Sequence, residues 1–129
     1  MGENAQLSAG KGTLVVKVTV GIETPEKLSQ AFTVASTAAL AGISVSLWLT
    51  GEASWLALPG RAESFELEGA AKISDLLAIL IAQGTVTLCT QCAGRRGVSE
   101  GDLIPGIVIR GAASFVEEIM RGDTQALVY

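Results

Sequence analysis

Short runs of β-branched and apolar residues alternate along the chain with longer runs whose apolar positions recur at helical spacing. Residues 14–20 (LVVKVTV) contain one charge and stop at a glycine, which is typical of a strand. The next segment is predicted to be a helix that begins at Pro25, with Thr24 at its N-cap, and stops at Gly42. Residues 43–49 (ISVSLWL) predict a second strand. A strand, a helix and a strand with short connections predict a right-handed crossover between parallel strands.

The same alternation continues through the second half of the chain. Residues 52–69 predict a short helix before Pro59 and a loop after it. A longer helix is predicted from Ile73 up to Gly84; its apolar residues cover more than one face, which indicates a subunit contact or, alternatively, a fully buried helix. Residues 85–89 (TVTLC) predict a central strand. The last predicted elements are a short helix over residues 92–96, a strand over 107–109, a helix over 112–121 with Phe115, Ile119 and Met120 facing inward, and a strand over 126–129.

This order of elements predicts a three-layer α/β fold, in which a mostly parallel sheet of about five strands carries helices on both faces. We expect one domain over residues 13–129 and a flexible tail over residues 1–12. The functional crevice of such a sheet lies beyond the carboxyl ends of its strands. The residues expected on the rim of that crevice, besides the cysteines, are Gly21, Thr50, Gly51 and Gly111.

The composition bounds the partners of the protein. Hydrophobic residues make up 49% of the 129 residues and charged residues 17%, which leaves little polar surface for a small globule, so we expect an oligomer. The net charge of −4, with no basic cluster beyond Arg95 and Arg96, argues against a nucleic-acid partner. Residues 28–51 are uncharged and long enough to span a bilayer. Their many hydroxyl side chains and the break at Gly42 nevertheless favour a helix and a strand, so no membrane association is expected.

Few residues of the chain could do chemistry. The absence of histidine excludes Ser-His-Asp and Cys-His catalysis and imidazole metal ligands. The two cysteines, Cys89 and Cys92, are too few for a disulfide framework or for a zinc site of their own. We therefore expect no metal and no cofactor, and reduced thiols in a cytoplasmic protein.

Cys89 closes the third predicted strand and precedes a short helix, so backbone N–H groups and the helix dipole can favour its thiolate. Arg95 and Arg96 follow on that helix and could stabilise the anion further. The alternative is that Cys89 is a small buried hydrophobe. Cys92 completes a Cys-Thr-Gln-Cys sequence and could act as a second thiol. A thioredoxin-like fold is disfavoured because the motif follows the third strand rather than the first.

Other polar and aromatic candidates carry a weaker signal. Glu23 and Glu52 are expected at strand ends, where a solvated rim is a simpler interpretation than an acid–base pair. Trp48 and Trp55 are expected in the core or in an interface, and a pocket lined by Trp55 is the alternative.

Residues 88–98 (LCTQCAGRRGV) resemble the segment of the DsrE/DsrF-like family that carries its active cysteine, which ends the third strand and precedes a helix and an Arg-Gly-Val turn. The similarity continues through residues 109–112, Phe115 and residues 126–129. The resemblance implies a flavodoxin-like sheet, cytoplasmic trimers or hexamers, and the transfer of persulfide sulfur between proteins. Cys89 matches the persulfide-bearing cysteine of the family.

Three functions are compatible with these residues. In the first, the chain is a sulfurtransferase-like carrier: Cys89 takes the outer sulfur of a donor persulfide, holds it as Cys–S–SH and passes it to an acceptor protein. Cys92 stands where relay subunits of the family usually have a small or apolar residue. The second function is therefore that of a dithiol redox protein that uses both Cys89 and Cys92. The third is a non-catalytic subunit with two structural cysteines. The expected partners are copies of the chain or related subunits, together with the sulfur donor and acceptor proteins.

Overall fold

The structure, a computed structural model, describes residues 12–129. The flexible tail expected over residues 1–12 therefore lies outside the described residues, apart from Gly12. The described part of the chain forms a five-stranded sheet in the order β4-β3-β2-β1-β5. Every neighbouring pair of strands in it is parallel. The strands are β1 (Thr13–Val18), β2 (Ser44–Leu49), β3 (Thr85–Cys89), β4 (Ile107–Arg110) and β5 (Thr124–Val128).

Helices cover both faces of this sheet. The four α-helices of the described residues are α1 (Pro25–Leu40), α2 (Ile73–Gln83), α3 (Thr90–Arg95) and α4 (Ala112–Ile119). Helices α1 and α2 pack against each other over one face. Helix α4 lies on the opposite face, where the ring of Phe115 meets Trp48 edge-on at 5.3 Å between centroids. The predicted three-layer, flavodoxin-like α/β fold is confirmed.

The alternation of side chains along the strands explains which residues form the core. Successive strand residues point to opposite faces of a sheet. Val16 and Leu47 therefore join one buried cluster with residues of α1 and α2, whereas their neighbours Lys17 and Trp48 face α4. The largest fully buried members of the cluster on the α1 and α2 side are Leu28, Phe32, Leu47, Leu49, Leu56, Ile73, Leu80 and Leu88.

Two segments differ from the sequence-based expectation. The short helix predicted before Pro59 is present as a 3₁₀ segment, Gly51–Ala57, and a second 3₁₀ segment, Ala62–Ser64, lies in the stretch predicted as a loop. The prediction that Met120 faces inward is wrong: its side chain is 76% exposed. Helix α4 ends at Ile119, so Met120 is already the C-cap residue and leaves the face that Phe115 occupies.

Helix α2 buries only part of its apolar surface within the chain. Ile73, Leu77 and Leu80 are buried, while Ala78 and Ala82 are exposed, so the alternative of a fully buried helix is wrong for the single chain. No helix within residues 12–129 combines the length and the apolar character needed to cross a lipid bilayer. The uncharged residues 28–51 form most of α1 and all of β2 instead.

Candidate functional site

The site forms where the carboxyl ends of β2 and β3 meet the start of the first 3₁₀ segment and of α3. Thr50 is held there by its backbone N–H and its hydroxyl, which both donate to the carbonyl of Val18, each at 2.9 Å. Gly51 follows with φ at +52°, and a side chain on it would lie 2.5 Å from the carbonyl oxygen of Thr19. Only glycine fits this position without strain. The turn directs the backbone N–H of Gly51 towards α3.

Cys92 accepts that N–H: the distance from Gly51 N to Cys92 Sγ is 3.3 Å. The side chain of Cys92 is buried, with 8% of its surface exposed. Burial raises the pKa of the thiol, but the Gly51 hydrogen bond, the neighbouring Cys89 and Ser54 side chains and the charge of Arg96 outweigh it. The pKa of Cys92 is therefore lower than that of an ordinary cysteine.

Two polar atoms beside Cys92 are buried without a hydrogen-bond partner among residues 12–129, namely Oγ of Ser54 and Nε of Arg96. The Ser54 hydroxyl lies close enough to Cys92 to lower its pKa, but its geometry falls short of a formed hydrogen bond. Nearly all buried polar groups in proteins are paired. An anionic sulfur at Cys92 would give the Ser54 hydroxyl an acceptor, and the positive charge of Arg96 would stabilise it.

Cys89 is the more accessible of the two thiols. It ends β3, occupies the N-cap position of α3 and is half-buried, and both cysteines are in the free thiol form. Because α3 has only six residues, its dipole is small, and the local contacts dominate the electrostatics. The sequence placed anion stabilisation at Cys89, whereas the described hydrogen bond to sulfur is made to Cys92.

The two arginines of the motif occupy different environments. Arg96 is 16% exposed; it donates to the carbonyl of Cys92 at 3.2 Å and to the carboxylate of Glu52 at 2.8 Å. Arg95 is exposed and makes no hydrogen bond or ion pair with the described part of the chain. Arg96 is thus the arginine that the fold brings to the thiols.

The glycines of the predicted rim also lie at this edge of the sheet. A side chain on Gly21 would lie 2.8 Å from the carbonyl oxygen of Glu52. The segment that follows β1 and the segment that follows β2 therefore meet here. Gly111 lies beside Thr90, the first residue of α3: a side chain on Gly111 would contact the Thr90 hydroxyl at 3.6 Å. The rim is therefore built from several connections that are distant in sequence.

A small cavity lies on the other side of the Glu52–Arg96 ion pair from Cys92 and contains neither cysteine in its lining. Its volume is about 250 Å³, and it is lined by Ile22, Glu23, Glu52, Trp55, Leu56, Arg61 and Ser64. Guanidinium groups approach the ring of Trp55, Arg61 at 4.8 Å and Arg96 at 5.7 Å from its centroid. Trp55 lines this pocket, as the alternative interpretation had it, while Trp48 is buried in the core. The Glu52–Arg96 ion pair joins the cavity to the thiol pair.

Sequence reasoning missed Ser54 and Arg61. Their segment has no strand or helix period, and its position depends on distant contacts such as the bond from Ile104 N–H to the carbonyl of Ala57. A serine in such a segment gives no signal of its own. That Ser54 neighbours Cys92 becomes visible only in the structure, where the segment after β2 approaches the start of α3.

Other parts of the described chain offer less chemistry. A larger groove of about 630 Å³ lies at the opposite edge of the sheet, and its lining includes Leu14, Val34 and Ile43 but no thiol. Within residues 12–129, no group of three or more histidine, cysteine or acidic side chains is arranged to hold a metal ion. The thiol pair is therefore the candidate functional site.

The described residues thus form a small parallel α/β protein with two free cysteines where β3 ends and α3 begins. The family model of the DsrE/DsrF-like family matches residues 13–125, and the chain belongs to this family. Among curated proteins, none matches it.

Solved structures with the same fold come from bacteria and an archaeon. The YchN protein of E. coli is 23% identical, with a TM-score of 0.74, over 92% of this chain and 99% of that one. The protein of unknown function MTH1491 of Methanobacterium thermoautotrophicum is 10% identical, with a TM-score of 0.57. The match covers 92% of this chain and 99% of that one. BT1422 of Bacteroides thetaiotaomicron, also of unknown function, is 17% identical, with a TM-score of 0.57. The match covers 95% of this chain and 97% of that one. At these identities the similarity establishes the fold.

Proposed function

We propose that the chain is a persulfide sulfur carrier, a sulfurtransferase-like subunit of a sulfur relay, in which Cys89 accepts and passes on the sulfur. Membership of the DsrE/DsrF-like family supports a role related to sulfur relay. The observation that carries the proposal is the half-buried thiol of Cys89, which lies at the carboxyl end of β3 beside the buried thiol of Cys92, whose pKa the charge of Arg96 helps to lower. A donor protein can reach this sulfur, whereas Cys92 is shielded.

The proposed reaction consists of two sulfur transfers. The thiolate of Cys89 attacks the outer sulfur of the donor persulfide, and the donor cysteine leaves as a thiolate, which yields Cys89–S–SH. The thiolate of an acceptor protein then attacks the outer sulfur, and Cys89 leaves as a thiolate. No electron acceptor, metal or cofactor is needed for either step. In this proposal Arg96 stabilises the anionic sulfur of the thiol pair, and the exposed Arg95 adds positive charge at the surface of the site.

The glycines and Thr50 act in this proposal as the rim against which the donor and acceptor dock. The rim consists of backbone at close approach, with Gly21 against Glu52 and Gly51 against Thr19. Small residues here leave the Cys89 sulfur accessible. We propose protein partners and no nucleic-acid or membrane partner, because the net charge is −4 and the site offers no basic surface beyond its few arginines.

We also propose that the chain assembles as a homo-oligomer, a trimer or hexamer, or with related subunits, in the cytoplasm. Helix α4 and the edge strand β5 pack together and expose Val116, Met120 and Val128, and Leu127 is exposed on the other face of β5. An exposed edge strand with apolar side chains is an unfavourable surface for a single chain, and assembly would cover it. The free thiols support a reducing compartment.

Whole-protein mass spectrometry tests the carrier function. After brief incubation with a persulfide donor and removal of the donor, Cys92→Ser should be one sulfur atom heavier, and Cys89→Ser should be unchanged. Reduction with a thiol should remove the added sulfur. Sulfur uptake that persists in Cys89→Ser, or an absence of uptake in Cys92→Ser, would contradict the proposal.

A dithiol redox function is the second candidate, and the lowered pKa of Cys92 next to Cys89 favours it. A mild oxidant would then remove two hydrogen atoms from the wild type, while Cys92→Ser would take up no sulfur from a persulfide donor. Sulfur uptake by Cys92→Ser separates the carrier from this alternative.

A further inference from the structure

The two thiols at the edge of the sheet have opposite properties. Cys92 accepts a hydrogen bond from Gly51 N–H and is only 8% exposed, whereas Cys89 is half-buried and open to solvent. A buried sulfur is poorly placed to meet a protein partner. It is well placed to react with a sulfur atom that is already inside the site.

The surroundings of Cys92 are arranged for a negative charge. Ser54 is fully buried and its hydroxyl has no partner among residues 12–129, and Nε of Arg96 is also buried and unpaired. Both residues lower the pKa of Cys92, so both act on its sulfur. A buried donor without an acceptor destabilises the fold, and a thiolate at Cys92 would provide an acceptor for the Ser54 hydroxyl, while the charge of Arg96 favours the same anion.

The spacing brings the two sulfur atoms together. Cys89 is the N-cap residue of α3 and Cys92 lies in its first turn, and residues separated in this way are neighbours on a helix surface. Pairs in the Cys-X-X-Cys arrangement at the start of a helix are able to form disulfides. The Cys89 thiol is close enough to Cys92 to lower its pKa. A persulfide on Cys89 would therefore have an ionisable thiol next to its inner sulfur.

We propose that Cys92 is a resolving thiol, which discharges the Cys89 persulfide as hydrosulfide when no acceptor protein takes the sulfur. This inference rests on the proposed function, because it requires a persulfide on Cys89. The chain would then have a second activity, the reduction of sulfane sulfur, besides carrying it. The buried position of Cys92 restricts its attack to sulfur that Cys89 holds.

The reaction is balanced within the site and two external thiol groups. The thiolate of Cys92 attacks Sγ of Cys89, the bond from Sγ to the outer sulfur breaks, and the outer sulfur leaves with the electron pair and its proton as HS⁻. The outer sulfur is thereby reduced to sulfide, and the two cysteines are oxidised to a disulfide. Two molecules of a small thiol, or one dithiol protein, then reduce the disulfide and are themselves oxidised to a disulfide.

The test compares the wild type with Cys92→Ser, using inorganic polysulfide as the sulfur source and no added thiol. After removal of the polysulfide, the wild type is expected to be two hydrogen atoms lighter than the reduced chain, which is the mass of a disulfide. It should release one hydrosulfide per chain more than Cys92→Ser, which remains one sulfur atom heavier until a thiol is added. Cys89→Ser should show neither product.

Each outcome decides a different claim. A wild type that keeps the added sulfur for as long as Cys92→Ser does would overturn the resolving role and leave the carrier function standing. Failure of Cys92→Ser to take up sulfur would contradict the carrier function itself, and the resolving role with it. Cys92→Ala provides a second variant if serine is not tolerated at this buried position, and the mass of the wild type alone distinguishes disulfide from persulfide.

Ser54 allows a finer test of the same site. Ser54→Ala keeps both cysteines and removes one buried donor that faces Cys92, so it is expected to take up sulfur as the wild type does but to release hydrosulfide more slowly. Raising the pH should restore its rate, because it restores the thiolate. Ser74→Ala, on α2, is the matched control and should behave as the wild type. Equal release rates in all three proteins at every pH would remove Ser54 from the mechanism.

Discussion

At the scale of single residues, the site depends on the different surroundings of two cysteines in one short motif. Cys89 belongs to the end of a strand and remains reachable, whereas Cys92 turns towards the second connection and meets Gly51 and Ser54. The same residue type thus has two chemical characters, because solvation and hydrogen bonding control thiol reactivity. A division into an accepting and a resolving thiol follows from this difference.

Arg96 is expected to hold the pKa of Cys92 down through its charge. Arg96→Gln should therefore raise the pKa of Cys92, and the pH dependence of thiolate absorbance in Cys89→Ser would show this without interference from the other thiol. Arg95→Gln is the matched control, since Arg95 carries the same charge but is exposed. Equal shifts in both variants would mean that long-range charge alone is responsible.

The pH dependence of stability is a second consequence of the lowered pKa of Cys92. A folded-state pKa below that of the unfolded chain, about 8.5 for free cysteine, adds stability that is fully present above the unfolded pKa. This contribution is lost as the pH falls through the folded pKa. The free energy of unfolding of Cys92→Ser should therefore lack part of the rise with pH that the wild type has in this window. Urea unfolding at a series of pH values measures this free energy for both proteins. If the free energy of unfolding changes with pH in the same way in the wild type and in Cys92→Ser, the lowered pKa of Cys92 is contradicted.

The sequence indicated Cys89 correctly as a thiol at a strand end, because a short β-branched run followed by a helix places its last residue at the edge of the sheet. It could not show the partners of Cys92. Gly51 and Ser54 belong to a segment far along the chain, and their approach depends on the positive φ of Gly51 and on the pairing of β2 with β3.

At the scale of elements, the last helix is fastened to the sheet by one polar side chain. The carboxylate of Glu118 on α4 accepts a hydrogen bond from the Ser46 hydroxyl at 2.6 Å and one from Trp48 Nε1 at 3.1 Å. Ser46 and Trp48 are both buried on β2. This carboxylate therefore satisfies two donors that the sheet would otherwise bury unpaired.

Glu118→Ala should destabilise the protein by about 1–3 kcal/mol, because it leaves the donors of Ser46 and Trp48 without an acceptor. Denaturant unfolding monitored by tryptophan fluorescence measures the change. Glu117→Ala is the matched control on the same helix: it removes an exposed ion pair with Arg121, and such pairs contribute less than about 1 kcal/mol. Equal destabilisation by both variants would show that helix propensity, and not the buried contact, is responsible.

Most elements follow from the hydrophobic pattern because each has a period that matches its burial. The strands β1, β2 and β3 and the helices α1 and α2 lie where residue patterning puts them, with ends that differ by a few residues. The pattern failed where the period is absent or too short. The 3₁₀ segment Ala62–Ser64 has no such period and was expected to be a loop, and the exposed Met120 follows a helix whose end was expected later.

At the scale of the whole molecule, the layers of the fold are covered unequally. Two long helices protect one face of the sheet, whereas α4 alone protects the other and leaves apolar side chains exposed on itself and on β5. The composition pointed to such an excess of apolar surface, but it could not locate it. The position depends on β5 lying at the edge of the sheet beside β1.

If this surface mediates assembly, Met120→Glu should shift the protein to smaller species. Light scattering after size-exclusion chromatography should find the wild type as an oligomer and Met120→Glu mainly as a smaller species, because a buried unpaired carboxylate is unfavourable. Leu40→Glu is a matched control on α1, with a side chain that is also exposed. A monomeric wild type, or an oligomer unaffected by Met120→Glu, would contradict the assignment of this surface.

The proposed carrier and resolving functions both require that the sulfur of Cys89 is the atom that accepts another sulfur. The most direct measurement is a crystal structure of Cys92→Ser after soaking with polysulfide. Electron density for a second sulfur bonded to Cys89 Sγ, at the open edge between β2 and β3, is the predicted result. Soaked crystals in which Cys89 remains an unmodified thiol, although the soaked protein is otherwise intact, would contradict it.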